Sequence, residues 1–327
     1  SSNNSTNTLA KEGDVVTLTF TATETIQTPT VTFLSDGDAI NNTSITYNNT
    51  SGDTWTAAYT THADDSDGVV TYSIAFTDSA GNNGVAVTSG TGSVTFDDTV
   101  PTLSNVDLSS NNATTSLAIV GDVVTLQFEA SETIGTPTVT FQSGGDNITD
   151  SVSLVNSGNV FTASYTTNTN DTTGSVTYSI AFTDSAGNNG VAVTSGNGSV
   201  TFDKTDPSLT SVSIQSDNTN TSFAKVGDNV TLTFTGTETI QTPTVTFQSG
   251  GANITNSATI NNTSGDTWTA VYTTHASDTE GSVTYTIAFT DSAGNAGTNV
   301  TSGTGSVTFD DTVPTLSNVD LSSNNTT

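Results

Sequence analysis

The stretch DGVVTYSIAFTDSAGN, Asp67 to Asn82, decides the fold. Val70, Tyr72, Ile74 and Phe76 alternate with Thr71, Ser73 and Ala75, the period-two pattern of a strand that lays one face on a core. The cluster TDSAGN that follows is turn chemistry. Near-copies return as GSVTYSIAFTDSAGN, ending at Asn188, and GSVTYTIAFTDSAGN, ending at Asn295. Outward from these, GSVTFD begins at Gly92, Gly198 and Gly305, and the pair Gly-Asp recurs at 13, 121 and 227, a period of 106 to 108 residues. The chain is three copies of one unit of ordinary domain size.

In the middle copy, alternating runs bounded by Gly, Asn, Asp and Ser predict strands over 102–108, 123–130, 138–142, 147–154, 159–166, 175–183 and 191–202. Seven such strands without helical periodicity predict an all-β fold of antiparallel β-sandwiches. In the first strand Leu103 is out of phase with Val106 and Leu108, which predicts a bulge or a crossing between sheets.

Composition narrows the class further. Of 327 residues, 73 are Thr and 42 are Ser, and apolar residues make up only 31%, yet they fall in strand-like runs rather than at random. Formal charge is −29, with three basic residues, Lys11, Lys204 and Lys225, and no Arg. Nucleic acid and anionic membrane are thereby excluded as partners, and cations are the natural counterpart. Self-repulsion at this charge calls for saline surroundings or bound divalent ions. There is no Cys, and no apolar run reaches the length of a membrane span. With two His, no Cys and three Lys, the usual nucleophiles and bases are scarce, and no Ser/His/Asp set, phosphate loop or zinc spacing occurs. A non-enzymatic protein is expected.

DVVTLTF, Asp14 to Phe20, resembles the second strand of an immunoglobulin-type domain with Phe20 in place of its first Cys. The stretch from Asp67 to Asn82 resembles the sixth strand, with Tyr72 at the tyrosine-corner position and Ile74 in place of the second Cys; Phe128, Tyr178 and Ile180, and Phe234, Tyr285 and Ile287, match in the other copies. The resemblance implies an apolar Phe/Ile contact where the family has a disulfide, with about 2 kcal/mol per fully buried side chain. The family's third-strand Trp is missing, and Trp55, Phe161 and Trp268 sit on a later strand, in phase with Tyr59, Tyr165 and Tyr272. Tandem acidic, Thr-rich copies joined by FDDTVP also resemble the arrays of bacterial giant adhesins and of archaeal surface-layer and filament proteins. That likeness implies an extracellular, cell-surface structural role, often with Ca²⁺ at the joints.

The expected boundaries are 1–100 for a first repeat, 101–206 and 207–313 for the second and third, and 314–327 for an orphan first strand. SSNNSTNTLA at 1–10 aligns with SSNNATTSLA at 109–118, so the first repeat lacks the strand that 102–108 supplies to the second. The block GSVTFDDTVPTLSNVDLSSNN at 92–112 returns unchanged at 305–325, which leaves a spare strand through Thr315, Leu316, Val319 and Leu321. Two readings stand open. Either the residues are a window of a longer array, or the spare strand completes the first repeat of the next copy. The partner in the second reading is the chain itself.

The resemblance also arranges the loops. It gathers Asp64, Asp65, Asp67, Asp97 and Asp98 below the first joint, with Glu132, Asp184 and Asn188 above it, an all-oxygen set suited to Ca²⁺. At the second joint Lys204 replaces Asp98, the loop between strands five and six keeps only Asp171, and Asp203 and Asp206 remain, so weaker binding is expected there. At the third joint stand Asp278, Glu280, Asp310 and Asp311. The alternative is that these acids are solvated loop residues. His62 and His275 lie beside the acidic loops, and Asp36 and Asp38 sit in the turn SDGD. Eighteen Asn lie in Asn-X-Ser/Thr context, and Asn49, Asn147, Asn253 and Asn262 are candidate glycosylation sites. The expectation is a structural filament, stalk or surface-layer component, with a carbohydrate- or surface-binding adhesin as the alternative.

Overall fold

The computed structural model describes residues 1–324, and among them every regular element is a strand. Val, Thr, Phe and Tyr supply β-branched and aromatic side chains at alternating positions, and burial follows: strand Asn229–Gly236 alternates half-buried and buried along its whole length. The chain divides into two compact units, one of Ser1–Ser116 with Gly121–Thr201, the other of Leu117–Val120 with the stretch from Phe202 onward.

The second unit holds one complete sandwich. One sheet runs Leu209–Ser216, Asn229–Gly236, Thr267–Thr273, Thr259–Ser264; the other runs Phe223–Ala224, Thr308–Phe309, Gly281–Ala288, Thr244–Ser249, Ala252–Asn253. All neighbours are antiparallel except Phe223–Ala224 with Thr308–Phe309, which are parallel. This strand order is that of an immunoglobulin-like domain. Phe234 and Ile287 are fully buried in one core with Trp268 and Tyr272, so apolar packing stands where a disulfide would. The tyrosine-corner expectation fails in one respect. The Tyr178 and Tyr285 hydroxyls have no hydrogen-bond partner among the described residues, although both rings are buried.

The first unit holds the first repeat and the second up to Thr201, apart from Leu117–Val120. In the second repeat one sheet runs Ser153–Ser157, Val160–Thr166, Val123–Ala130, Leu103–Ser110, Asn197–Gly198, and Gly174–Ala181 pairs with Thr138–Ser143 in the other. The bulge expected near Leu103 is present: the register shifts between Gln127 and Glu129, and Asn105 takes a φ of 52°. Two expected strands are interrupted. The run 147–154 is split between Asp146–Asn147, a hairpin partner of Gln142 and Ser143, and Ser153–Ser157 in the opposite sheet. Of the run 191–202 only Asn197–Gly198 and Thr201–Phe202 are strand, and just before them a Cβ on Gly196 would strike the Val106 carbonyl and side chain, because the first strand passes that close.

The first repeat differs in one place. Among the described residues its sheet has three strands, Val15–Thr21, Thr54–Thr60 and Thr46–Ser51, where the third repeat has four. Ser1 to Asn3 pair with Val15 to Thr17 and stop there. Leu18 and Phe20 are therefore half-buried, whereas their counterparts Leu126, Phe128, Leu232 and Phe234 are fully buried. Because the Thr17 amide faces this edge, so do those of Thr19 and Thr21 two and four residues on. Hydrogen exchange read by mass spectrometry is expected to be faster at Thr19 and Thr21 than at the matching Gln127 and Glu129. Equal protection at both places would mean that the edge is closed.

Candidate functional site

Two features separate the ends of the repeats from ordinary loops: a slot beside the open strand and a set of acidic linker contacts. The slot is lined by Val16, Leu18, Phe33, Tyr72, Gly92 and Val94. In the second repeat the same place is filled by Leu103–Ser110, which lies between Val123–Ala130 and Asn197–Gly198. In the third, Thr304 pairs with Ser213 in the equivalent way. The filling side chains Val106 and Leu108 are only 8% and 4% exposed. Among the described residues the identical sequence after Asp311 forms no strand; Val319 and Leu321 are 80% and 99% exposed, and Thr315 and Leu316 are exposed beside them. Asn318 nevertheless holds a φ of 55°, the left-handed turn that makes the bulge at Asn105. The last three residues of the expected orphan strand, 325–327, lie outside the described residues.

The linker begins at Asp97, whose amide donates to the Ala10 carbonyl. Its own carbonyl accepts from Asn188 Nδ2 at 2.8 Å, and Asn188 Nδ2 also donates to Asp184 Oδ2 at 2.8 Å. Asp184 Oδ1 accepts from the Gly187 and Asn188 amides. The carboxylates of Asp97, Glu132 and Asp184 thus converge, with one oxygen of each within 4.8 Å of the others. Two further contacts join the first two repeats: Lys11 Nζ to the Gly187 carbonyl at 2.6 Å and Asn4 Nδ2 to the Ala186 carbonyl at 2.8 Å. Neither Lys11 nor Asn4 carries a sequence signal that marks it for this role.

Within the second unit the pattern recurs. Asn295 Nδ2 donates to the Asp203 carbonyl at 3.1 Å, and Asp203, Glu238 and Asp291 form a second acidic group of the same span. The sequence sets this linker apart through Lys204, and Glu238 and Asp291 were not among the expected ligands. Their match to Glu132 and Asp184 one period earlier is the signal that finds them.

The other expected ligands lie elsewhere. Asp65 and Asp278 are buried turn caps, accepting from the His62 and Asn41 amides and from the His275 and Thr255 amides. Asp67 holds the linker itself, accepting from the Asp98 amide and the Thr99 hydroxyl, and Glu280 does the same for the Asp311 amide and Thr312 hydroxyl. Asp98 accepts from the Glu12 amide, Asp64 lies 3.5 Å from His62 Nδ1, and Asp310 and Asp311 are exposed. His62 Nδ1 and His275 Nδ1 each accept a backbone amide two residues on. Asn49, Asn147, Asn253 and Asn262 are all exposed, as sugar attachment requires. Trp55 and Trp268 are buried and offer no face to a sugar.

Burial pushes the Glu132 carboxyl above its ordinary value, and Asp97, Asp184 and Asp67 push it further. Asp97 is raised too, by burial first and then by Asp184, Asp67 and Asp98, against a hydrogen bond from Thr99. Glu238 is raised by burial and then by Asp291, Asp203 and Asp266. A carboxyl raised in the fold takes up its proton before the unfolded chain does, so the penalty it imposes at neutral pH fades as pH falls through the folded value. Asp228 and Asp278 have the opposite sign. Burial raises them, but backbone bonds from Lys225 to Asp228, and from His275 and Thr255 to Asp278, outweigh it, so their stabilisation is lost as pH falls through their lowered values. Thermal melts are therefore expected to show maximum stability on the acid side of neutrality, above about pH 4 where ordinary carboxylates titrate. Glu132→Gln is expected to flatten that rise. A steady loss of stability from pH 7 downward would contradict it.

No protein-family model matches the sequence, and no curated protein matches it at significance. Among solved structures, an I-band fragment of titin is similar at 14% identity, covering 92% of this chain and 95% of the titin fragment with a TM-score of 0.40. A second titin fragment is similar at 14% identity, 94% and 98% coverage and a TM-score of 0.34. The full ectodomain of mouse nectin-like molecule 4 is similar at 13% identity, 94% and 99% coverage and a TM-score of 0.30. At such scores the likeness carries no argument about function. The immunoglobulin-like character of this chain rests on its own strand order.

Proposed function

We propose that the chain is a structural, non-enzymatic component of a cell's outer surface, in which immunoglobulin-like sandwiches succeed one another end to end in a filament, stalk or surface layer. The observation that carries this reading is that the sheet of a repeat is completed by a strand delivered through the linker from the repeat before it, as Leu103–Ser110 completes the sheet of Val123–Ala130. A strand of the TLSNVDL type completes the first repeat, restoring hydrogen bonds along Leu18 to Thr21 and covering Leu18 and Phe20. The resemblance to prokaryotic surface arrays, the strongly acidic charge and the exposed sequons favour an extracellular setting. The adhesin reading loses its aromatic platform with the burial of Trp55 and Trp268.

A labelled peptide TVPTLSNVDLSSN, residues 312–324, is expected to bind the chain and to protect the Thr19 and Thr21 amides, whereas the same peptide with Val319→Asp and Leu321→Asp is expected not to. Absence of binding by the native peptide would sink strand complementation.

Ca²⁺ is the second element of the proposal. Asp97, Glu132 and Asp184, and Asp203, Glu238 and Asp291, offer only oxygen donors, and three carboxylates can supply up to about six of the six to eight oxygens that Ca²⁺ takes. A bound cation would neutralise the repulsion that raises Asp97, Glu132 and Glu238. Addition of Ca²⁺ at neutral pH is expected to raise the melting temperature, and the double variant Glu132→Gln, Glu238→Gln to lose most of the effect. An unchanged melt on adding Ca²⁺ to chelator-treated protein would remove the ion from the reading.

A further inference from the structure

In the first repeat a phenol closes the seam between the two sheets. The Val31 amide on strand Thr30–Ser35 donates to the hydroxyl of Tyr47, which stands on strand Thr46–Ser51 of the other sheet, at 2.9 Å, and that hydroxyl lies 3.5 Å from the Val31 carbonyl. Strand register explains why these backbone groups are free to do so. Val31 stands opposite Ile74, and Ile74 spends its own amide and carbonyl on Val87, so Val31 turns its backbone away from its sheet partner and into the seam.

The third repeat has the same register and lacks the phenol. Val245 stands opposite Ile287, whose amide and carbonyl bond Val300, so the Val245 amide and carbonyl face the seam in turn. Ile260 holds the place of Tyr47 and has no hydroxyl to offer. Among the described residues the Val245 amide makes no hydrogen bond into the seam, although Val245 is only 9% exposed. An unpaired amide on a buried residue is costly. Beside it lies a cavity of about 350 Å³, lined among others by Val245, Phe247, Ile254 and Ala258. Ala258 is the smallest residue at its position, where the first repeat has Ile45 and the second Val152. The wall is accordingly less covered: Ile40 is buried in the first repeat, and its counterpart Ile254 is half-buried. In the second repeat the matching Val139 is itself half-buried, within reach of water.

Apolar walls with one backbone donor and one backbone acceptor between them suit an aromatic ring that carries a hydroxyl. We infer that the third repeat binds a tyrosine side chain of a partner protein in this seam, its ring against Phe247, Ile254 and Ala258 and its hydroxyl on the Val245 amide, as Tyr47 sits in the first repeat. A second copy of this chain does not supply it. Of the seven Tyr, Tyr59, Tyr165, Tyr178, Tyr272 and Tyr285 are buried, Tyr47 is bonded to Val31, and Tyr72 is half-buried in its own repeat. The formal charge of −29 favours a partner segment whose tyrosine is flanked by basic residues. The inference is independent of strand complementation, since every residue of the seam belongs to the third repeat.

The test is a titration of the isotope-labelled 327-residue chain with the peptide acetyl-Lys-Tyr-Lys-amide, read by nuclear magnetic resonance at the Val245 amide. A saturable shift is expected, with binding weaker by about fivefold for acetyl-Lys-Phe-Lys-amide, which has the same charge and lacks one hydrogen bond. The Val31 amide, already bonded to Tyr47, is the internal control and is expected not to move. Ile260→Tyr sets a phenol in the seam from within, and Ala258→Ile restores the wall of the first repeat. Both are expected to abolish the shift, and Ile260→Tyr also to slow hydrogen exchange at Val245. Each borrows the residue of a sister repeat, so thermal melts are expected to hold. No saturable shift at Val245 in the parent chain, or equal binding of the two peptides, would overturn the inference. An equal shift in Ile260→Tyr would overturn it too, because the peptide would then sit elsewhere.

Discussion

A sheet edge that overlies an apolar core cannot be left open without cost, and the repeats are organised around that constraint. The second strand of each repeat carries Leu and Phe on its core face, and those side chains are sealed only when a further strand lies alongside. The sealing strand precedes its own domain in the chain and is reached through the Asp-Pro linker. Covalent order, core burial and linker geometry are therefore one system. A change in the linker moves the strand, and a change in the strand uncovers the core.

The acidic linker groups are best understood against that geometry. Three carboxylates brought within 4.8 Å oppose the contact electrostatically, while the Asn amide, a buried donor with two acceptors, favours it. The balance depends on what neutralises the acids, whether protons or a hard cation. At the first linker Lys11 and Asn4 add direct bonds to the next repeat's FTDSAGN loop. Asp14, Asp122 and Asp228 each receive an Asn amide from the SSNN or SDNT turn, which accounts for the recurring Gly-Asp pair as a local clamp.

The fold was legible because strand alternation and the 106-to-108-residue period agree. Phe at the second strand and Ile at the sixth, read as a disulfide replacement, sit together in the core, and Leu103 out of phase marks a real bulge. What was not legible has local causes. Gly196 and Gly198 look like a weak spot in a strand, but they make room for a neighbour that only the folded chain brings near. The acidic residues were recognised by type, yet charge alone does not tell a turn cap such as Asp65 from a convergent carboxylate such as Asp184. Both are buried, and they differ only in what lies across from them. Asn188, expected among the oxygen ligands of the first joint, instead bridges Asp184 and the linker carbonyl through its amide nitrogen, a role its residue type alone does not reveal.

The identical block at 92–112 and 305–325 spans the last strand of one repeat, the linker and the first strand of the next. It therefore contains the plug, the hinge and, in Gly92 and Val94, one wall of the socket, while Val16, Leu18, Phe33 and Tyr72 of the socket lie outside it. Genetic recombination between two such blocks would add or delete whole periods without creating a hybrid contact surface. The length of the gene can then drift while every boundary in the product stays in register.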